Sequence, residues 1–255
     1  MKLAHLLHAI QACPVKREII EWGREIYRKL MNRVEDDPFY AVAYTAFQGA
    51  PAQYETQLRA VEMASKIGAE EIARNPEIIG EISSKTKAAF RARQGELLKR
   101  GAECYLEICG ENPRQCTADR EKRAELADCM LEPSWRKTRD LLLLMLGDED
   151  AVPVDRHVAR WTCEIANLYC PEKYDKKRPV KGREAYEKYQ EAVKEAARAC
   201  EVAPAELMVT AWALGICLER WGKKHGMRRP AFPIVQDEWV ICPHQETLET
   251  FMSEE

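Results

Sequence analysis

Apolar residues recur every three or four positions along almost the whole chain, a period that fits helices and little else. Ile19-Ile20-Trp22-Ile26-Leu30, Leu58-Val61-Met63, Leu97-Leu98-Cys104-Leu106 and Ala192-Val193-Ala196-Ala197 each gather apolar groups on one side of a helix. The alternation that marks a half-buried strand is nearly missing. Breakers divide the runs into about nine or ten helices. They fall at Pro38, Gly49 to Pro51, Pro76, Gly110 to Pro113, Pro133, Gly147 to Pro153, Pro171, Pro179 to Gly182, Pro204 and Pro230. The expected fold class is all-α. No fixed repeat organises the segments, which argues against a helical solenoid.

With 255 residues, 46% of them hydrophobic, the chain can bury one substantial core or two smaller ones flanking a cleft. A charged fraction of 32% and a net charge of −3 exclude both a disordered polyelectrolyte and a uniformly basic nucleic-acid coat. Positive charge is local instead. It gathers at Lys85, Lys87, Arg91, Arg93, Lys99 and Arg100, at Arg136, Lys137 and Arg139, and at Lys223, Lys224, Arg228 and Arg229. Such clusters read equally as a solvated mixed surface or as one positive face. No apolar run approaches the roughly 18 residues needed to span a bilayer. The segment Leu3 to Ala12, interrupted by His5 and His8, reads as a helix with mixed faces rather than a signal peptide. The expectation is a soluble, cytoplasmic monomer with no membrane partner.

Ten cysteines include no C-x-x-C pair and no zinc-ribbon or finger spacing, so no structural metal is expected. Cys104, Cys109, Cys116 and Cys129 crowd one region. They form disulfides if the source is a hyperthermophile, or serve as buried free thiols packing as small hydrophobes.

The densest apolar run, Leu141 to Leu146, closes the segment from Arg136 and predicts a buried central helix with Lys137 in its first turn. Gly147-Asp148-Glu149-Asp150 makes a loop, Ala151 to Val154 is extended around Pro153, and Asp155 stands at the N-cap of a helix over Arg156 to Ala166. Ten helical residues rise roughly 15 Å. The seven or so residues of the return span up to about 23 Å, so Asp155 can come back beside Lys137. A lysine amine near a carboxylate at the mouth of a buried helix is equipped for Schiff-base chemistry at a sugar carbon. Taken singly, Lys137 reads as a surface lysine and Asp155 as an ordinary N-cap.

Read together, Arg136-Lys137-Thr138 and Val154-Asp155-Arg156-His157-Val158 resemble the helix-hairpin-helix DNA glycosylase superfamily, in which R-K-T is followed by V-D-x-H at a fixed distance, here 155 − 137 = 18 residues. Asp37-Pro38-Phe39-Tyr40 with Ala46-Phe47-Gln48 is similar to the family's D-P-F segment, and Phe90-Arg91-Ala92-Arg93 to the segment before its hairpin. Tyr186 to Gly215, with Ala203-Pro204 and Trp212-Ala213-Leu214-Gly215, is similar to archaeal 8-oxoguanine DNA glycosylases. The resemblance covers roughly Asp37 to Gly215.

It implies the HhH-GPD fold, with two helical subdomains, 34–149 and 1–33 plus 150–255, flanking a DNA-binding cleft. It implies a bifunctional glycosylase/AP lyase acting on double-stranded DNA that carries a damaged base, with 8-oxoguanine the best match, and no metal or organic cofactor. Lys137 would displace the base by attacking C1′, and Asp155 would stabilise positive charge growing on the deoxyribose. The imine then acidifies the C2′ proton, and β-elimination cuts the strand. Gln48 would enter the duplex, and Trp212, Met208 and Tyr54 would line the base pocket. Arg91, Arg93, Trp135, Arg136, Arg139 and His157 would contact DNA, with helix packing a competing role for His157. Some relatives carry a four-cysteine iron–sulfur loop near the C-terminus. Here only Cys217 and Cys242 lie beyond Cys200, so no cluster is expected.

Two departures matter. Family hairpins usually read L-P-G-x-G before R-K-T, where the glycines let backbone N–H groups approach a phosphate. Here the segment is Leu131-Glu132-Pro133-Ser134-Trp135. Where the archaeal enzymes carry an aspartate four residues before the tryptophan, this chain has Met208. A glycosylase of the same fold acting on another lesion, a non-catalytic helical DNA-binding protein and a helical interaction domain are the competing readings.

Overall fold

The computed structural model describes residues 13–47, 54–75, 77–86, 92–110, 112–175 and 178–221, without the side chains of residues 54, 55, 165 and 215–221. It is all-α, with no strand among the described residues. The chain forms two compact units. A central one comprises Lys29–Asp148, and a flanking one the described residues up to Arg28 and from Glu149 onward. Helix α1 (Arg17–Asp36) contributes to both.

The remaining helices of the central unit are α2 (Phe39–Phe47), α3 (Tyr54–Ile67), α4 (Ala69–Arg74), α5 (Glu77–Thr86), α6 (Ala92–Cys109), α7 (Gln115–Ala118), α8 (Arg120–Met130) and α9 (Arg136–Met145). The helix buried along its whole length is α2 rather than α9. All nine residues of α2 are buried, and it packs against α3, α6 and α9. Asp37 starts it: Oδ1 accepts the Phe39 N–H at 3.1 Å, and the other carboxylate oxygen accepts the Ser65 hydroxyl, which ties the cap to α3. Gly101 of α6 lets α2 come close, since a Cβ there would lie 2.6 Å from Val42 Cγ1. Burial, with a smaller contribution from the charge of Asp37, pushes the Tyr105 phenol up to about 12.

The apolar run of α9 is buried from Leu142 to Leu146, whereas Leu141 is only half-buried and the first turn is polar. The helix therefore dips into the core at its C-terminal half and leaves its first turn at the surface. It ends in a Schellman turn, with Asp148 N–H donating to Leu143 O at 2.9 Å and Gly147 N–H to Leu144 O at 3.0 Å. Gly147 sits at φ +90°, in the region that favours glycine. A Cβ there would meet nothing nearer than Met31 Cε at 3.4 Å, so backbone strain is the main cost of a side chain. Gly147→Ala is expected to lower the unfolding free energy by about 1–2 kcal/mol, and Gly147→Asn by less. Urea midpoints for the three proteins check this, and a wild-type midpoint for the alanine variant contradicts it.

In the flanking unit, α10 (Arg156–Arg160) runs into a π-helical turn (Trp161–Ile165), followed by α11 (Gly182–Ala199) and α12 (Pro204–Trp221). The expected single helix over Arg156 to Ala166 is thus an α-helical turn plus a π turn, closed by Ala166 N–H donating to Trp161 O at 2.8 Å. Helix α12 opens on Pro204, which fixes φ and lacks an N–H where the helix needs none, and packs against α10 and α11.

Eight of the ten cysteines pair as disulfides: Cys104–Cys129 and Cys109–Cys116 in the central unit, Cys13–Cys200 and Cys163–Cys170 in the flanking one. The first ties α6 to α8, and Cys13–Cys200 spans 187 residues of sequence. Such crosslinks stabilise mainly by restricting the unfolded chain, by about 2–4 kcal/mol each. They persist in oxidising compartments and in the intracellular proteins of hyperthermophiles. Among the described residues, no helix is long and apolar enough to cross a membrane.

Candidate functional site

On the central unit, α8 and α9 are joined by the five residues Leu131 to Trp135. Leu131 is buried and anchors the turn, Trp135 N–H donates to Glu132 O at 2.9 Å, and Trp135 stands at the N-cap of α9 without a side-chain cap. The first turn of α9 holds Arg136 and Lys137 and no acidic residue. Positive side chains at the positive end of a helix dipole are locally unfavourable, and an anion placed there relieves both. Lys137 is exposed. Within its unit it has no hydrogen-bond or ion-pair partner among the described residues.

Arg93 and Trp135, read separately in the sequence, come together. The Arg93 guanidinium lies 3.7 Å from the centroid of the Trp135 ring, a cation–π stack that braces the turn before Lys137. Arg139 takes a different role. Its Nε and Nη2 both donate to Asp128 Oδ1, at 3.0 and 2.8 Å, which locks α9 to α8 and commits the charge to a carboxylate. Arg136 is half-buried.

On the flanking unit, Asp155 caps α10. Its Oδ1 accepts the His157 and Val158 N–H groups at 2.8 and 2.9 Å. Within its unit, no described residue bonds to Oδ2. The carboxylate is half-buried, with its orientation set by one oxygen and the other left over. The extended segment leading to it is held from α11: Gln190 Nε2 donates to Val152 O at 2.9 Å, and Val154 N–H donates to the Tyr186 hydroxyl at 3.4 Å. Sequence reasoning missed these two positioning residues. Their only signal is that polar groups four apart fall on one helix face.

His157 is 8% exposed, and its Nε2 accepts from Arg156 Nε at 3.2 Å. That is a packing position, with little surface left for a phosphate. Met208 is 4% exposed, and Trp212, one helical turn on, is half-buried. Tyr54 opens α3, but its side chain, like Gln48 and Arg91, lies outside the described residues.

Lys137 belongs to the central unit and Asp155 to the flanking one. On its own unit, Lys137 presents an accessible amine without an intra-unit counterion, and Asp155 a carboxylate fixed through one oxygen. No family model matches the chain, and no curated protein matches it.

Proposed function

We propose that the chain is a bifunctional DNA glycosylase/AP lyase of the HhH-GPD fold, with Lys137 as nucleophile and Asp155 as electrostatic partner. The observation that carries the reading is the state of these two groups, combined with the R-K-T and V-D-x-H spacing of 18 residues. Lys137 is exposed in the first turn of α9 without an intra-unit partner. Asp155 spends Oδ1 on two backbone N–H groups and keeps Oδ2 for charge developing on a sugar. A glycosylase must extrude its target nucleotide before C1′ can be reached, so a stacking wall and backbone contacts are also needed. Trp212 is the candidate wall. Arg93, stacked on Trp135, and Arg136 are the candidate backbone contacts beside Lys137.

In this reaction the Lys137 amine, once deprotonated, attacks C1′, and the C1′–N-glycosidic bond breaks with its electron pair leaving on the base. Asp155 stabilises the positive charge on the deoxyribose as that bond weakens. Ring opening gives the imine, loss of a C2′ proton expels the 3′ phosphate, and hydrolysis returns Lys137.

The substrate we propose is 8-oxoguanine. Its N7–H needs an acceptor, and the Met208 thioether is a weak one. A backbone carbonyl takes that role in this proposal, because an unsatisfied buried donor costs about 1–3 kcal/mol. The test is single-turnover cleavage of duplexes differing only in 8-oxoguanine, uracil, thymine glycol or hypoxanthine. The expected result is fastest release of 8-oxoguanine with guanine untouched, and Trp212→Ala slowing excision more than it weakens binding to undamaged duplex. Faster release of another lesion overturns the substrate assignment, and cleavage of none overturns the enzymatic reading.

A further inference from the structure

One local excess of positive charge lies outside the clusters singled out in the sequence. From Glu172 to Arg183 there are six basic residues against two acidic ones, in a chain whose net charge is −3. Two of the six, Lys176 and Lys177, lie outside the described residues, so the structural argument rests on the others.

This connection is tied down at several points. The Cys163–Cys170 disulfide fastens its start to the π turn that continues α10. The Tyr174 hydroxyl donates to Glu164 Oε1 at 2.8 Å. Burial, reinforced by Glu164, pushes that phenol up to about 12, so it remains a donor at neutral pH. Pro179 is buried, and its carbonyl accepts from the Tyr189 hydroxyl at 3.5 Å. Within the loop, Arg178 N–H closes a turn on Asp175 O at 2.9 Å, and Lys181 pairs with Asp175 at 3.2 Å.

Tyrosine and proline are used as anchors, while cations face solvent. Lys173 and Arg178 are exposed, and neither has an ion-pair partner among the described residues. Arg183, by contrast, is committed to Glu187 at 2.6 Å. Both ends of the loop lead to Asp155. Its start is bonded to the turn following the helix that Asp155 caps. Its end enters α11, whose Tyr186 and Gln190 hold the segment running into Asp155.

We propose that Lys173 and Arg178 act as a strap that grips the phosphate backbone of duplex DNA on the unit carrying Asp155. The proposal rests on the DNA reading above and extends it to a surface that reading does not use. A tethered loop suits the task, because its ordering cost is met during folding rather than on binding. Backbone contacts also require charge and position but no base readout.

The test is fluorescence anisotropy with a labelled, undamaged 25-base-pair duplex across a potassium chloride series, using the full chain with its disulfides intact. Lys173→Ala/Arg178→Ala is expected to make the slope of log K against log salt shallower by about one to two, as two lost phosphate contacts dictate. Lys173→Glu/Arg178→Glu should weaken binding further, by at least about tenfold at low salt. Arg198→Ala, which removes one positive charge in the last turn of α11, should keep the wild-type slope. Wild-type slope and affinity in both loop variants overturn the strap and leave the DNA reading standing. Failure of the wild-type protein to bind duplex at any salt overturns both. A shallower slope in a protein that releases no lesion supports the strap and counts only against the enzymatic reading.

Discussion

Asp155→Asn is expected to lower single-turnover base excision by about a thousandfold or more, equivalent to about 4 kcal/mol of transition-state stabilisation, while leaving fold and lesion binding intact. The isostere separates two jobs that one side chain performs. Asparagine is as good an N-cap as aspartate, and its carbonyl oxygen can accept the same His157 and Val158 N–H groups that Oδ1 now accepts. What disappears is the negative charge, the part assigned to the oxocarbenium-like sugar. Asp155→Ala removes both functions and should also cost about 1 kcal/mol of stability. Thermal melts and single-turnover rates for the pair distinguish the roles. Near wild-type excision by the asparagine variant would reduce Asp155 to a cap.

The first and last residues of α9 were legible because their causes are local. Polar residues precede an apolar run at its start, and Gly147 supplies the positive φ that closes it. Its place in the core was less legible. The run Leu141 to Leu146 looks like the most buried stretch of a unit, yet α2 is the helix buried along its whole length. The α2 sequence, Phe39-Tyr40-Ala41-Val42-Ala43-Tyr44-Thr45-Ala46-Phe47, includes hydroxyl groups that read as half-exposed until α3, α6 and α9 are packed around them. The short helices α4 and α7 raise the number of α-helices among the described residues to twelve, above the nine or ten expected, because six and four residues are too few to display a period.

The π turn after Arg160 has no sequence signature, since it is one extra residue in the hydrogen-bond ladder rather than a change of composition. Cysteine count raised the prospect of crosslinks but could not pair them: four cysteines in one region allow three connectivities. The separate guesses about Arg93 and Trp135 became one feature only in three dimensions, as did the commitment of Arg139 to Asp128, eleven residues away across a turn. Tyr186, Gln190 and the basic loop before them escaped notice for the same reason. Their importance comes from the segment they hold, and nothing in their own sequence announces it.

The central claim is that Lys137 forms a covalent imine with the sugar. Chemistry distinguishes that role from the role of an ordinary exposed lysine. An imine is reduced by borohydride to a stable amine, which fixes the protein to the DNA. Lys137→Gln removes the nucleophile while keeping a polar side chain one atom shorter, and should leave duplex affinity within a factor of a few because one cation among several phosphate contacts contributes little. The decisive measurement is borohydride trapping on a duplex carrying a single 8-oxoguanine, resolved by denaturing electrophoresis and peptide mapping. The account predicts a covalent adduct for the wild-type protein, mapped to Lys137, and none for Lys137→Gln. An adduct of undiminished yield in that variant, or one mapped to another lysine, would contradict it.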